Sequence, residues 1–204
     1  MGAGFSPAAP EVAAPPIVQQ WAEAQKHMGD IVVDFKMTRT LPTLTAPITA
    51  NGRFWKLADG QFRWEMGTPP TTVLLFDNQD LHLWDGEKGT WQTLSPNDGR
   101  MRMWMQFLNN KEMNAEAMIK TFIPTVTGEK SDVITIALQP KGLLVRRHLK
   151  QVDLQIDPRT NFLRQIRLIQ SDDGTVIMTF GNPQPMAAAD KSKLQIPAST
   201  KSSS

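Results

Sequence analysis

The sequence predicts a mainly β fold of the α+β class: one strongly curved antiparallel sheet of about eleven strands, with an N-terminal helix and a mid-chain helical insert. Three observations predict it. Apolar and polar residues alternate along most of the 204 positions, short turns rich in Gly, Asp and Asn punctuate the alternation, and helical spacing is confined to two places. A single sheet of that many strands must curl or close.

Pro15 and Pro16 open the segment IVQQWAEAQKHMGD, in which Ile17, Trp21, Gln25 and Met28 share one helical face and Gly29 marks the stop. From Ile31 the period becomes two: Ile31, Val33, Phe35 and Met37 oppose Asp34, Lys36 and Thr38, the pattern of a half-buried strand. The pattern returns over residues 48–57 and 61–66, with Asp59-Gly60 as the hairpin signal between them. Segments 71–77, 80–85 and 90–94 continue the meander. Over residues 95–121 the alternation breaks, and RMRMWMQFLNN and AEAMIKTF read as two short helices, the second with Asn114 as its N-cap. Strands follow at 122–128 and 132–139, then a short piece at 143–148, then strands at 149–156, 161–170 and 174–182. The turns Asp157-Pro158-Arg159-Thr160 and Ser171-Asp172-Asp173-Gly174 separate the last three. Residues 1–14 are rich in Ala and Pro and residues 185–204 in Ala, Ser and Lys. One folded body over 15–184 is therefore expected between a flexible leader and a mostly flexible tail with a possible edge strand.

Several function classes fall away on composition. Lys+Arg 22 against Asp+Glu 20 leaves a net charge of +2, too little for a phosphate-binding field without tight clustering, so no nucleic-acid partner is expected. The compact basic groups are Arg146, Arg147, His148 and Lys150, and Arg100 and Arg102 beside Trp104. Without a nucleic-acid motif both read as solvated charges. The absence of cysteine excludes disulfides, thiolate metal sites and a cysteine nucleophile. No serine lies in a G-x-S-x-G turn, and His27, His82 and His148 lie in separate segments, so neither catalysis nor metal binding is expected. Gly2 and Gly4 lack the strand and third glycine of a dinucleotide turn, and no cofactor is expected. Asp77-Asn78-Gln79-Asp80 and Asp172-Asp173-Gly174 lack calcium-loop spacing and read as turns. No apolar run approaches the roughly 18 residues of a membrane-spanning helix, and MGAGFSPAAP is not a basic-then-apolar leader.

What remains is apolar. Nine Phe, six Trp and eleven Met supply large rings and flexible thioethers. Phe54, Phe62, Trp64 and Met66 alternate along two adjacent strands, and the insert adds Met101, Trp104, Met105, Leu108 and Met118. They fill either a core or a ligand cavity, and a curved sheet of this size encloses more volume than its own side chains usually occupy. Methionine-rich surface can repack around varied guests.

The stretches VVDFKMTRTL, ANGRFWKLADGQFRWEMGTPP, TTVLLFDNQDLHLW and LRQIRLIQSDDGTVIMTFGNPQ resemble, in that order, the LolA family of periplasmic carriers of outer-membrane lipoproteins, from about Val18 to Gln184. The resemblance implies an unclosed half-barrel of eleven strands, a helical lid around Met101 to Leu108, and a cavity for acyl chains. Its inward F-x-W-x-M positions fall on Phe62, Trp64 and Met66, and its G-x-[LF] positions on Gly52 and Phe54. Phe35, Leu75, Leu83, Leu154 and Ile166 complete the candidate wall, with Met101, Trp104, Met105 and Leu108 from the lid. The family's lid-holding arginine falls, in ungapped register, on Ala58, while Arg53 and Arg63 are strand residues. The implied function is a non-enzymatic, monomeric carrier of acylated lipoprotein or lipid, placed in the periplasm between an inner-membrane donor complex and an outer-membrane acceptor. The alternative is a lipid- or peptide-sensing regulatory module of the cell envelope.

Overall fold

In the computed structural model, described over residues 14–94 and 115–195, the strands form one twelve-stranded antiparallel sheet. Helix α1 (Pro16–Lys26) precedes the meander β1 (Ile31–Thr40), β2 (Ile48–Lys56), β3 (Phe62–Met66), β4 (Thr72–Phe76), β5 (Leu81–Asp85) and β6 (Thr90–Leu94). Helix α2 (Ala115–Thr121) leads into β7 (Phe122–Glu129), β8 (Ile134–Pro140), the short α3 (Leu143–Arg146), β9 (Leu149–Asp157), β10 (Phe162–Gln170) and β11 (Thr175–Phe180). The two-residue β12 (Gln184–Pro185) and a 3-10 helix (Ala188–Leu194) follow.

The strand order β6-β5-β4-β3-β2-β1-β11-β10-β9-β8-β7 joins two meanders along one seam, β1 against β11, where Phe35 pairs with Phe180 and Thr40 with Thr175. Strands β6 and β7 are the two ends of the sheet, so the half-barrel is unclosed. Register shifts in β7–β8 between Val126 and Gly128, and in β9–β10 between Leu163 and Gln165, bend the second meander. The predicted turns form: Gly60 has φ +99° after Asp59, and Asp77 Oδ1 accepts the backbone N–H groups of Gln79 and Asp80.

The expected sheet of about eleven strands is present, and a short twelfth strand joins it, because β11 leaves the start of β1 unpaired and Val32 and Ile31 take Gln184 and Pro185 as partners. Residues 143–148 hold a short helix, begun by the Arg146 N–H bond to Gly142 O, with Leu143 and Leu144 standing 77% and 73% exposed. The chain after 185 is not a loose tail as far as it is described. Its 3-10 helix straps the outer face of the sheet, where Leu194 is buried with Trp55 and Leu75. The Lys191 ammonium pairs with Asp30 at 2.7 Å, and Arg63 donates to Lys193 O at 3.0 Å.

The inner face holds the main core. Val33, Phe35, Phe54, Phe62, Trp64, Phe76 and Leu81 from the first meander meet Ile136, Leu138, Val152, Leu154, Ile166, Leu168, Val176 and Met178 from the second. Val18 and Trp21 of α1 and Met118 of α2 press onto them. At the turn between β9 and β10, the buried Asp157 carboxylate accepts from Arg164 at 2.6 Å and from the Arg159 backbone at 2.9 Å. Chiefly the Arg164 bond lowers its pKa to about 2.

Gly52 is required for a different reason from the one its place in the motif suggests. A Cβ there would run into the Phe35 ring and the Glu65 carbonyl, so glycine lets Phe35 lie flat on β2. Gly52→Ala is expected to cost about 2–3 kcal/mol, since a backbone carbonyl must shift as well as a ring. Urea unfolding of the two proteins measures it, and an unchanged midpoint would show that the ring contact is slack.

Candidate functional site

The inner face is a belt of aromatic rings placed by strict alternation and register. Phe54 pairs with Trp64, and Phe62 with Phe76, across neighbouring strands. Ring centroids are 6.1 Å apart for Phe180 and Phe35, 3.9 Å for Phe35 and Trp64, 5.7 Å for Trp64 and Phe54, 5.8 Å for Phe54 and Phe62, and 5.6 Å for Phe62 and Phe76. The belt crosses the seam from β11 to β4. Tilted and edge contacts at these separations contribute about 0.5–1.5 kcal/mol per pair beyond burial.

Of the residues expected in the cavity wall, Phe35, Phe54, Phe62, Trp64, Leu154 and Ile166 share one buried cluster, and Met66 packs against it half-buried. Leu83 follows Leu74 on the same face by register but stays half-buried outside the cluster. Gly52 lies under the Phe35 ring. Leu75 is a correction: it faces outward, buried with Trp55 beneath the 3-10 strap. Met101, Trp104, Met105 and Leu108 lie outside the described residues.

Among the described residues, helices cover the belt. On α1, Val18, Trp21, Ala22 and Gln25 are buried. Its polar tie to the sheet, among the described residues, is the bond from Gln25 Nε2 to Asn161 O at 2.9 Å. The Trp21 indole N–H is buried without an acceptor among the described residues, so α1 is held chiefly by apolar contact. Ala58, at the position of the expected arginine, offers only its backbone N–H, to Asp30 Oδ1 at 2.9 Å. No guanidinium from that turn reaches the cover.

Where α1 ends, a cavity of about 50 Å³ remains, lined by Gln25, Met28, Ile31, Val33, Phe54, Lys56, Phe162, Leu163, Ile166 and Phe180. That is far below the roughly 300–1,000 Å³ of pockets enclosing small-molecule ligands. The belt is plugged in this state. A groove of about 770 Å³ on the outer side is larger, but its Asp34 and Arg53 are paired with each other, and Arg63 beside it occupies Glu65. Its charges are mixed in sign and mostly paired, so the inner cavity, which borders the belt, is the better site.

Lys56 is the residue that sequence reasoning missed. It lies two positions after Phe54, hence on the inner face, and it is only 4% exposed. Among the described residues its ammonium has no hydrogen-bond or ion-pair partner, and burial alone lowers its pKa from 10.5 to about 8. Its alternation with Phe54 was visible in the sequence and was the signal to use. Below pH 8 the folded protein carries a charge on a largely buried side chain with no described partner, a cost of about 3 kcal/mol at most. Between pH 8 and 10.5 the unfolded chain holds the proton that the folded one has released, so stability rises with pH across that window. Lys56→Met is therefore expected to raise unfolding free energy by about 2–3 kcal/mol at pH 7 and by much less at pH 10. Denaturant titrations at both values decide it; an equal or opposite effect would mean the ammonium is solvated.

The sequence over residues 27–197 matches the family described as "Outer membrane lipoprotein carrier protein LolA". A search by sequence among curated proteins finds no match. Among solved structures, an uncharacterized conserved protein from Thermus thermophilus superposes with a TM-score of 0.58 at 7% identity, covering 90% of this chain and 94% of that one. The LolA superfamily protein NE2245 from Nitrosomonas europaea gives 0.46 at 11% identity, covering 88% and 96%. A chain of the Pseudomonas aeruginosa MucA/MucB complex gives 0.44 at 14% identity, covering 89% and 61%. The likeness to the Thermus thermophilus protein speaks for the fold, and no described helix is long and apolar enough to cross a membrane. With a match running from the end of α1 to beyond the 3-10 strap, the chain belongs to the LolA family of outer membrane lipoprotein carrier proteins.

Proposed function

We propose that the protein is a periplasmic, non-enzymatic, monomeric carrier that holds the acyl chains of a lipoprotein or related lipid against the aromatic belt and passes them toward the outer membrane. An inner-membrane donor and an outer-membrane acceptor complete that reading. The observation that carries it is the nature of the cover. Among the described residues, an apolar sheet face spanning both meanders is shielded by two helices, and α1 is tied to the sheet by one side-chain hydrogen bond.

Exposing a chain of about fifteen methylenes to water costs on the order of 12 kcal/mol at roughly 0.8 kcal/mol each. A cavity of about 50 Å³ cannot accept such a chain, so cargo enters only as α1 and α2 lift and their apolar side chains are exchanged for hydrocarbon. A helix of 11 residues has little stability of its own and depends on the face it covers. The exchange replaces one apolar contact by another, which keeps affinity moderate and allows release to a better acceptor. Met28, Met66 and Met178 on or against this face add contacts that adapt to chain shape.

Purified protein incubated with acylated lipoprotein is expected to yield acyl chains on organic extraction and mass spectrometry. Phe62→Glu or Trp64→Glu, whichever remains folded by circular dichroism, is expected to lose at least about tenfold in bound lipid, because a carboxylate then sits in the belt. Full retention by a folded variant, or no uptake by the unaltered protein, would refute the carrier reading.

A further inference from the structure

The structure assigns Lys56 a ligand: we infer that its ammonium receives an oxyanion borne on a hydrocarbon chain, so that the cavity selects acidic amphiphiles over neutral ones. This inference rests on the carrier reading and deepens it. Lys56 stands at the end of β2, paired with Ile31 on β1 and Phe62 on β3. It is almost wholly out of solvent and forms part of the wall of the cavity beside α1. The rest of that wall is uncharged: Gln25 and Met28 from the α1 end, Ile31 and Val33 from β1, Phe162 and Ile166 from β10, with Phe180 from β11.

Among the described residues no carboxylate lines this space, so nothing in the wall neutralises the ammonium. A buried cation in an apolar wall is costly in the empty protein, and a charge-assisted bond to a bound oxyanion removes that cost at the moment of binding. The Gln25 amide beside it supplies a second polar group, once the helix carrying it gives up its bond to Asn161 O. The wall continues from Lys56 through Phe54 to the aromatic belt. An amphiphile with its acidic end at Lys56 would therefore lay its tail along the rings.

The shared chemistry is an oxyanion at the head of a chain, and it has two sources: the carboxylate of a free fatty acid or the phosphate of a phospholipid. Calorimetric titration of the full chain with oleate against oleyl alcohol, and with dioleoyl phosphatidate against dioleoylglycerol, separates them. The acidic member of at least one pair is expected to bind about tenfold or more tightly at pH 7. In Lys56→Met that ratio is expected to fall to about one. Raising the pH from 7 to 10 is expected to erode the ratio, as Lys56, the one ionisable side chain in the described wall, loses its proton above about 8. Discrimination in the oleate pair alone identifies a carboxylate ligand, and discrimination in the phosphatidate pair alone a phosphate one. Equal binding of acidic and neutral members by the unaltered protein overturns the inference and leaves the carrier reading standing. So does a ratio that survives Lys56→Met. Failure of all four compounds to bind overturns both.

Discussion

A single sheet has two faces to bury, and a curved one that does not close leaves its inner face without a partner sheet. In this molecule that constraint organises everything else. The outer face is partly covered by the 3-10 strap, which lays Leu194 on Trp55 and Leu75 and sets the Lys193 ammonium 4.7 Å above the Trp55 ring. The inner face is covered by α1 and α2, whose Val18, Trp21 and Met118 fill the space above the rings. The two covers differ in kind. The strap is fastened by the pairing of β12 with β1, by Lys191 on Asp30 and by Arg63 on Lys193 O. Helix α1 is fastened, among the described residues, by apolar contact and one amide bond.

That asymmetry is the physical feature on which the proposed carrier role would draw. Apolar contact is non-directional, so a hydrocarbon guest can replace Val18 and Trp21 without leaving the rings unsatisfied. Ala58 fits the same picture, because its turn contributes a backbone bond to Asp30 and no side-chain latch. Lys56 sets the opposite condition, being a polar group that the resting protein leaves without a described partner at the edge of an otherwise oily wall.

Much of this was legible from residue order because half-buried strands announce themselves. Ile31, Val33 and Phe35, and then Phe62, Trp64 and Met66, alternate without interruption, and their faces follow directly. Leu75 was misread where that condition fails. In TVLLF, Val73, Leu75 and Phe76 are all buried, since β4 is sandwiched between the ring belt and the strap, and period two loses its contrast where both faces are covered. The strap itself was hidden by composition. AADKSKL contributes one buried residue, Leu194, and otherwise reads as solvated chain. Lys56 was hidden by habit: lysine is counted as surface, and only the parity of its position said otherwise.

The seam between β1 and β11 has a consequence for how the molecule comes into being. Each meander is built from hairpins between sequence neighbours, whereas β1 finds β11 only when nearly the whole chain is available. The entropy of loop closure therefore concentrates on one ladder, while the ladders within each meander are local and quick. Until that ladder zips, Phe35 and Phe180 sit on separate ribbons, each with a greasy side turned to water. The newborn protein is at its most adhesive just before its last pairing.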